Sequence, residues 1–90
     1  MHFFDYRNGQ LFCEDASIEA IAREVGTPLY VYSKATLLDR YRQIEKAFGD
    51  VERTVCFSVK SCSSLGVLGV LREAGCSFDI VSGGELFRVL

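Results

Sequence analysis

The sequence has little excess charge of either sign and no long apolar run. Its 10 Lys and Arg residues stand against 12 Asp and Glu residues, and the two signs are interspersed, so no basic face is available for nucleic-acid phosphates or anionic lipids. No apolar run approaches the roughly 18 residues that a membrane span needs. The first ten residues, MHFFDYRNGQ, lack the pattern of a signal peptide. We therefore expect a cytoplasmic protein that binds neither nucleic acid nor membranes.

The sequence also lacks a metal-binding pattern. The four cysteines, Cys13, Cys56, Cys62 and Cys76, contain no C-x-x-C pair, and the one histidine, His2, is far from them in sequence. Zinc sites need closer ligand spacing. Without an export signal, free thiols are expected, and Cys62 and Cys76 are expected to act as small buried apolar side chains.

Two local signals describe the first third of the chain. Two short apolar runs flank Asn8-Gly9, a pair of residues that tolerates positive φ and predicts a β-hairpin. In DASIEAIAREVG, apolar residues recur at helical spacing from Ile18 to Val25. Either Asp15 or Ser17 could cap this helix, and Gly26 could end it.

After Pro28, segments of strand and helix composition alternate. The predicted elements are, in order, a strand at 29–33, a helix at 34–49 capped by Ser33, a strand at 53–59, a helix at 63–75, a strand at 77–81 and a helix from Ser82. The apolar stripe of the helix at 34–49 is formed by Leu37, Tyr41, Ile44 and Phe48, and that of the helix at 63–75 by Leu65, Leu68 and Leu71. For the last helix, Ser82 and Glu85 have the spacing of a capping box, in which each side chain accepts the other residue's backbone N–H.

Alternation of this kind predicts an α/β fold with a parallel sheet. Three βα units would leave both sheet edges uncovered, whereas eight units close a (β/α)8 barrel. We therefore expect part of such a barrel, in a chain that is a fragment of a longer protein. An open, doubly wound sheet is the alternative, because the pattern does not say whether the sheet closes.

One lysine, Lys60, directly follows the apolar strand segment TVCFSV. In a (β/α)8 barrel the carboxyl ends of the strands face the active site. A lysine held there can lose its proton and form a covalent bond with an aldehyde. The position of Lys60 is equally typical of a lysine without a catalytic role that ends a strand and extends into solvent.

The segments GTPLYVYS, FSVKS and LGVLGVLREAGCSFDIVSGGEL occur here in one order. This series resembles the N-terminal part of the pyridoxal-phosphate-dependent decarboxylases of basic amino acids, and among them most closely the branch that acts on diaminopimelate. The resemblance covers essentially all 90 residues, and its most specific parts are the strand-end lysine and FDIVSGGEL.

The resemblance implies roles for three residues. Lys60 matches the lysine that binds pyridoxal phosphate covalently and takes part in catalysis. Asp79 matches a carboxylate near that lysine, and Glu85 would lie near the cofactor in the same way. Asp79 can also be an ordinary strand-end residue, and a capping box alone would explain Glu85. SGG is not expected to hold the phosphate, which this family binds with a later glycine-rich loop.

The resemblance also implies an architecture and a reaction. Residues 15–90 would form the first βα units of an incomplete, alanine-racemase-like barrel, and residues 1–14 a hairpin that belongs to the β-rich C-terminal domain of the whole protein. That protein would be a homodimer with shared active sites, converting meso-diaminopimelate to L-lysine and carbon dioxide. The 90 residues alone are expected to be inactive.

The sequence departs from the family pattern around the lysine. Relatives usually have alanine on both sides of VK and then asparagine, whereas this chain has Ser58, Ser61 and Cys62. The two serines are sterically small, but a thiol is a far weaker hydrogen-bonding group than an amide. A related decarboxylase acting on ornithine, arginine or carboxynorspermidine, and a truncated, non-catalytic homologue that acts by binding, therefore stay open.

Overall fold

The computed structural model of the chain describes residues 3–90. His2 and the first two positions of the predicted hairpin segment 1–14 lie outside the described residues. The chain forms two compact units, one ending at Thr36 and the other running from Leu37 to Leu90. No helix within residues 3–90 is long and apolar enough to cross a membrane.

The first unit begins with the predicted hairpin. Strands β1 (Phe4–Arg7) and β2 (Gln10–Cys13) pair antiparallel. Asn8 and Gly9 connect them with φ values of 52° and 78°, as a two-residue turn with both φ angles positive requires. A short third strand, β3 (Ala16–Ser17), which the sequence did not predict, pairs antiparallel with β2. The hairpin prediction is confirmed.

Helix α1 (Ile18–Val25) follows β3 and confirms the second local prediction. Ser17 is its N-cap and accepts a hydrogen bond from the backbone N–H of Ala20 at 3.3 Å. Gly26 is its C-cap, with a φ of 95°. No residue of α1 is buried, and Val25, predicted on its apolar face, is largely exposed.

Residues 29–33 differ from the prediction. They form neither strand nor helix, and Tyr30 is 89% exposed. Aromatic and β-branched residues suit a pleated strand, but a strand also needs a neighbour to pair with its N–H and C=O groups. No strand within residues 3–90 pairs with this segment.

Helix α2 (Lys34–Phe48) begins in the first unit and lies mostly in the second. Ser33 caps it as predicted, with its hydroxyl oxygen accepting the N–H of Thr36 at 3.1 Å. On the predicted apolar stripe, Leu37 and Tyr41 pack against the core of the second unit. Ile44 and Phe48 are about half exposed, so only the first half of the stripe is covered.

A second cap on α2 was not predicted. Glu14, at a φ of 55°, accepts the hydroxyl of Ser33 at 2.8 Å and the N–H of Ala35 at 3.2 Å. The bond from Ala35, followed by that from Ser33, lowers the pKa of the Glu14 carboxyl. The two caps together fix the first turn of the helix, because both accept N–H groups that have no partner within it.

The second unit contains a parallel βαβ arrangement. Strand β4 (Cys56–Ser58), helix α3 (Leu65–Glu73) and strand β5 (Ser77–Asp79) follow each other, and β4 pairs parallel with β5. Helix α4 (Gly83–Val89) comes last. Both strands are shorter than predicted, but the predicted parallel pairing is confirmed, and the fold is mixed α/β.

The core of this unit lies between α3 and the sheet. Val67, Leu71 and Cys76 form its buried centre. The partly buried apolar residues around it are Leu37, Tyr41, Val55, Phe57, Cys62 and Phe78. Burial raises the pKa of the Cys76 thiol, which keeps it protonated and apolar in character. Leu65, the first residue of α3 and predicted on the same face as Leu71, is 59% exposed.

Candidate active site

The two parallel strands end at the same edge of the sheet. Ser58, the last residue of β4, lies opposite Asp79, the last residue of β5. Phe57 and Phe78, also opposite each other, pack against the core. Since successive side chains of a strand point to opposite faces, Ser58 and Asp79 lie on the face of the sheet that α3 does not cover.

Lys60 lies in a single 3-10 turn, Val59–Ser61, directly after β4. Val59 is the most deeply buried side chain of the described chain, at 1% exposure. The backbone N–H of Cys62 closes the turn on the carbonyl of Val59 at 3.1 Å. The sequence predicted that the strand runs on through residue 59; instead it ends at Ser58, and the turn presents Lys60 beyond the strand end.

The side chain of Lys60 is not engaged by the described part of the chain. Its side chain is exposed, and it makes no hydrogen bond or ion pair with any other residue in the range 3–90. A primary amine without a competing partner can attack a carbonyl group once it is deprotonated. The structure therefore brings Lys60 and Asp79 to one edge of the sheet, with the amine unengaged.

Glu85 has a different environment. It lies in the first turn of α4, and its backbone N–H donates to the hydroxyl oxygen of Ser82 at 3.1 Å. Its carboxylate Oε1 accepts the N–H of Val81 at 3.0 Å. The predicted capping box is therefore half right, because Glu85 accepts the N–H one residue before the N-cap. This carboxylate already serves the start of the helix.

Of a cofactor that carries an aldehyde and a phosphate, the residues present fit the aldehyde. An unengaged amine at a strand end is the group that such an aldehyde needs for covalent attachment.

One hydrogen bond next to Lys60 was not predicted from the sequence. The hydroxyl of Ser61 donates to the carbonyl of Ser58 at 2.8 Å. The signal was a serine three residues after the last residue of the strand, a spacing that allows this local bond.

Comparison with known proteins decides the family. The sequence model described as "Pyridoxal-dependent decarboxylase, pyridoxal binding domain" matches residues 34–90, which is more than half of the chain. The chain belongs to this decarboxylase family. The matched region includes all three predicted site residues, Lys60, Asp79 and Glu85.

Individual members of the decarboxylase family are similar to this chain over essentially its whole length. The diaminopimelate decarboxylases of Haemophilus influenzae and Pseudomonas fluorescens are 49% and 52% identical over 90 residues, which is 100% of this chain and 22% of each relative. The crystal structure of diaminopimelate decarboxylase from M. jannaschii in co-complex with L-lysine matches 96% of this chain and 21% of that chain, with a TM-score of 0.83 at 27% identity. The chain thus spans about a fifth of the length of these relatives.

Proposed function

We propose that these 90 residues form the N-terminal, cofactor-bearing part of a decarboxylase that converts meso-diaminopimelate to L-lysine and carbon dioxide. The observation that carries the proposal is the unengaged amine of Lys60 at the end of β4, inside the region that matches the pyridoxal binding domain. The names of the similar proteins support diaminopimelate as the substrate. The L-lysine bound in the M. jannaschii structure supports an amino-acid ligand.

Lys60 would hold pyridoxal phosphate covalently through its amine. The cofactor, when bound, supplies an electron sink for the pair left behind as carbon dioxide departs. The contribution of this chain is to keep one amine at a fixed place. The amine of Lys60, when it is not attached to the cofactor, would carry a proton to the reacting carbon and would be the nucleophile that releases the product.

Asp79 and Glu85 would border the cofactor. Asp79 shares the strand-end edge with the turn of Lys60, and its exposed carboxylate is able to accept a hydrogen bond from a bound group. The hydrogen bond from Val81 to Glu85 holds that carboxylate at the start of α4. From there Glu85 would act on the cofactor through one of its remaining lone pairs.

The wider architecture belongs to the same proposal. The parallel β4 and β5 would be two neighbouring strands of an alanine-racemase-like (β/α)8 barrel, and their face with Ser58 and Asp79 would point into it. The hairpin of β1 and β2 would belong to a β-rich C-terminal domain. The whole protein would be a cytoplasmic homodimer with shared active sites, and residues 1–90 alone would show no turnover.

A substrate panel tests the proposed reaction. Full-length protein loaded with pyridoxal phosphate is incubated separately with meso-diaminopimelate, L-ornithine, L-arginine and carboxynorspermidine, and carbon dioxide release and the amine product are measured. We expect turnover with meso-diaminopimelate and formation of L-lysine. Replacing Lys60 with alanine is expected to abolish turnover, whereas the matched variant Lys46→Ala, on α2, should keep it.

Other results of the substrate panel would support one of the alternative functions. Preferred release of carbon dioxide from L-ornithine, L-arginine or carboxynorspermidine would move the chain to a related decarboxylase and contradict the diaminopimelate assignment. No turnover with any of the four, in protein that binds the cofactor, would support a non-catalytic homologue.

A further inference from the structure

The turn that carries Lys60 is fixed at its two ends by different means. At the start, Val59 is enclosed in the protein at 1% exposure. At the end, Ser61 is exposed, and its side chain contributes one hydrogen bond, from Oγ to the carbonyl oxygen of Ser58 at 2.8 Å. Packing restrains the first residue of the turn, and a side-chain hydrogen bond adds to the backbone bonds that restrain the last.

A hydroxyl matters more here than in a long helix. A 3-10 turn has poorer hydrogen-bond geometry than an α-helix and is stable only in short pieces. The backbone N–H of Cys62 closes the turn on the carbonyl of Val59, and the hydroxyl of Ser61 adds a side-chain bond to the carbonyl of Ser58, one residue earlier. It ties the turn to Ser58, whose position is set by its pairing with Asp79 in the sheet.

We propose that Ser61 is a positioning residue for Lys60, an inference that rests on the proposed function of Lys60. The Ser61 hydroxyl is already used by the Ser58 carbonyl, so Ser61 acts by fixing the backbone on both sides of Lys60 and thereby the direction in which its amine leaves the turn. Alanine at this position is sterically acceptable but lacks the hydroxyl. Without it, the turn samples orientations from which the amine reaches the cofactor aldehyde less often.

The test uses three variants of the full-length protein. Ser61→Ala removes the hydroxyl, Ser61→Thr keeps it, and Ser63→Ala makes the same chemical change at an exposed serine for which no side-chain hydrogen bond is found among residues 3–90. Cofactor-free protein is mixed with pyridoxal phosphate, and the rate and equilibrium of covalent attachment are followed by the absorbance of the bound cofactor. Borohydride-trapped adducts on Lys60 and Lys46 are quantified by mass spectrometry, and melting temperatures are measured without cofactor.

We expect Ser61→Ala to slow attachment and weaken affinity by about threefold, the size of one modest net hydrogen bond. Ser61→Thr should recover more than half of the loss, Ser63→Ala should match the original protein, and melting temperatures should agree. Attachment in Ser61→Ala equal to that of the original protein overturns the inference alone. The inference is also overturned if Ser61→Thr fails to restore the lost attachment, or if Ser63→Ala loses attachment to the same extent. Trapping on Lys46 in preference to Lys60 in the original protein overturns the proposed function as well.

Discussion

Ser58 and Asp79 face each other as the last residues of two parallel strands. This pairing brings the turn of Lys60, which begins one residue after Ser58, to the edge of the sheet where Asp79 lies. In parallel sheets and barrels this edge is where ligands bind. The pairing is therefore the link between the fold and the proposed chemistry.

The first prediction concerns Asp79. Asp79→Asn keeps the size of the side chain and removes its charge, so a hydrogen bond from the cofactor or substrate to the carboxylate is weakened. We expect cofactor affinity to fall by about tenfold, the order expected for a hydrogen bond to a charged group, in an absorbance titration. Ser77→Ala, on the same strand and the same face, is the control and should bind normally. Equal affinity in Asp79→Asn and the control would make Asp79 an ordinary strand-end residue.

One substitution can separate the helix-start contact of Glu85 from its proposed role beside the cofactor. Glu85→Gln keeps an oxygen that can accept the N–H of Val81, so α4 and the melting temperature should be preserved. If Glu85 also borders the cofactor, loss of its charge should lower cofactor affinity by about threefold or more, a modest electrostatic contribution. Unchanged affinity would leave Glu85 with its helix-capping role alone.

The two leucines of α3 should differ in their contribution to stability. Leu71 is 4% exposed and belongs to the core, whereas Leu65 is 59% exposed. Leu71→Ala leaves a cavity and should lower the free energy of unfolding by about 2–4 kcal/mol. Leu65→Ala should cost about 0.5 kcal/mol or less, as exposed substitutions usually do. Urea unfolding measures both, and similar costs for the two would contradict the assigned core.

The lowered pKa of Glu14 predicts how the free energy of unfolding depends on pH in acid. Its hydrogen bonds lower its pKa in the folded state, below the unfolded value of about 4.3. The stabilisation is therefore complete at pH values above the unfolded pKa and is lost as the pH falls through the folded pKa. Glu14→Gln should flatten the decline of unfolding free energy below about pH 5, as measured by urea unfolding at a series of pH values.

The control for this prediction is Glu24→Gln, at an exposed position of α1. It should keep the acid dependence of the original protein. An unchanged acid dependence in Glu14→Gln would show that the capping carboxylate is not coupled to folding.

Local signals predicted local structure well. Asn8-Gly9 predicted the hairpin and Ser17 and Ser33 predicted helix starts, because a turn or a cap involves residues only a few positions apart. The family resemblance, carried by Lys60 and FDIVSGGEL, was confirmed by the match of residues 34–90.

The predictions that were wrong or missing depended on strand pairing or on contacts between residues far apart in sequence. Residues 29–33 have strand composition, but a strand exists only with a partner, which composition does not supply. The Glu14 cap joins residues about 20 positions apart, and no spacing rule describes such a contact. The 3-10 turn at Val59–Ser61 replaces the end of a predicted strand, because strand boundaries are set by pairing.

The most direct measurement of the central claim locates the covalent attachment. Full-length protein is equilibrated with pyridoxal phosphate, reduced with borohydride and digested, and the modified lysine is identified by mass spectrometry. The lysines of α2, Lys34 and Lys46, are internal references that experience the same reagent. We predict that Lys60 carries the pyridoxyl group while Lys34 and Lys46 are essentially unmodified; modification of either α2 lysine in preference to Lys60, or none at Lys60, would contradict the claim.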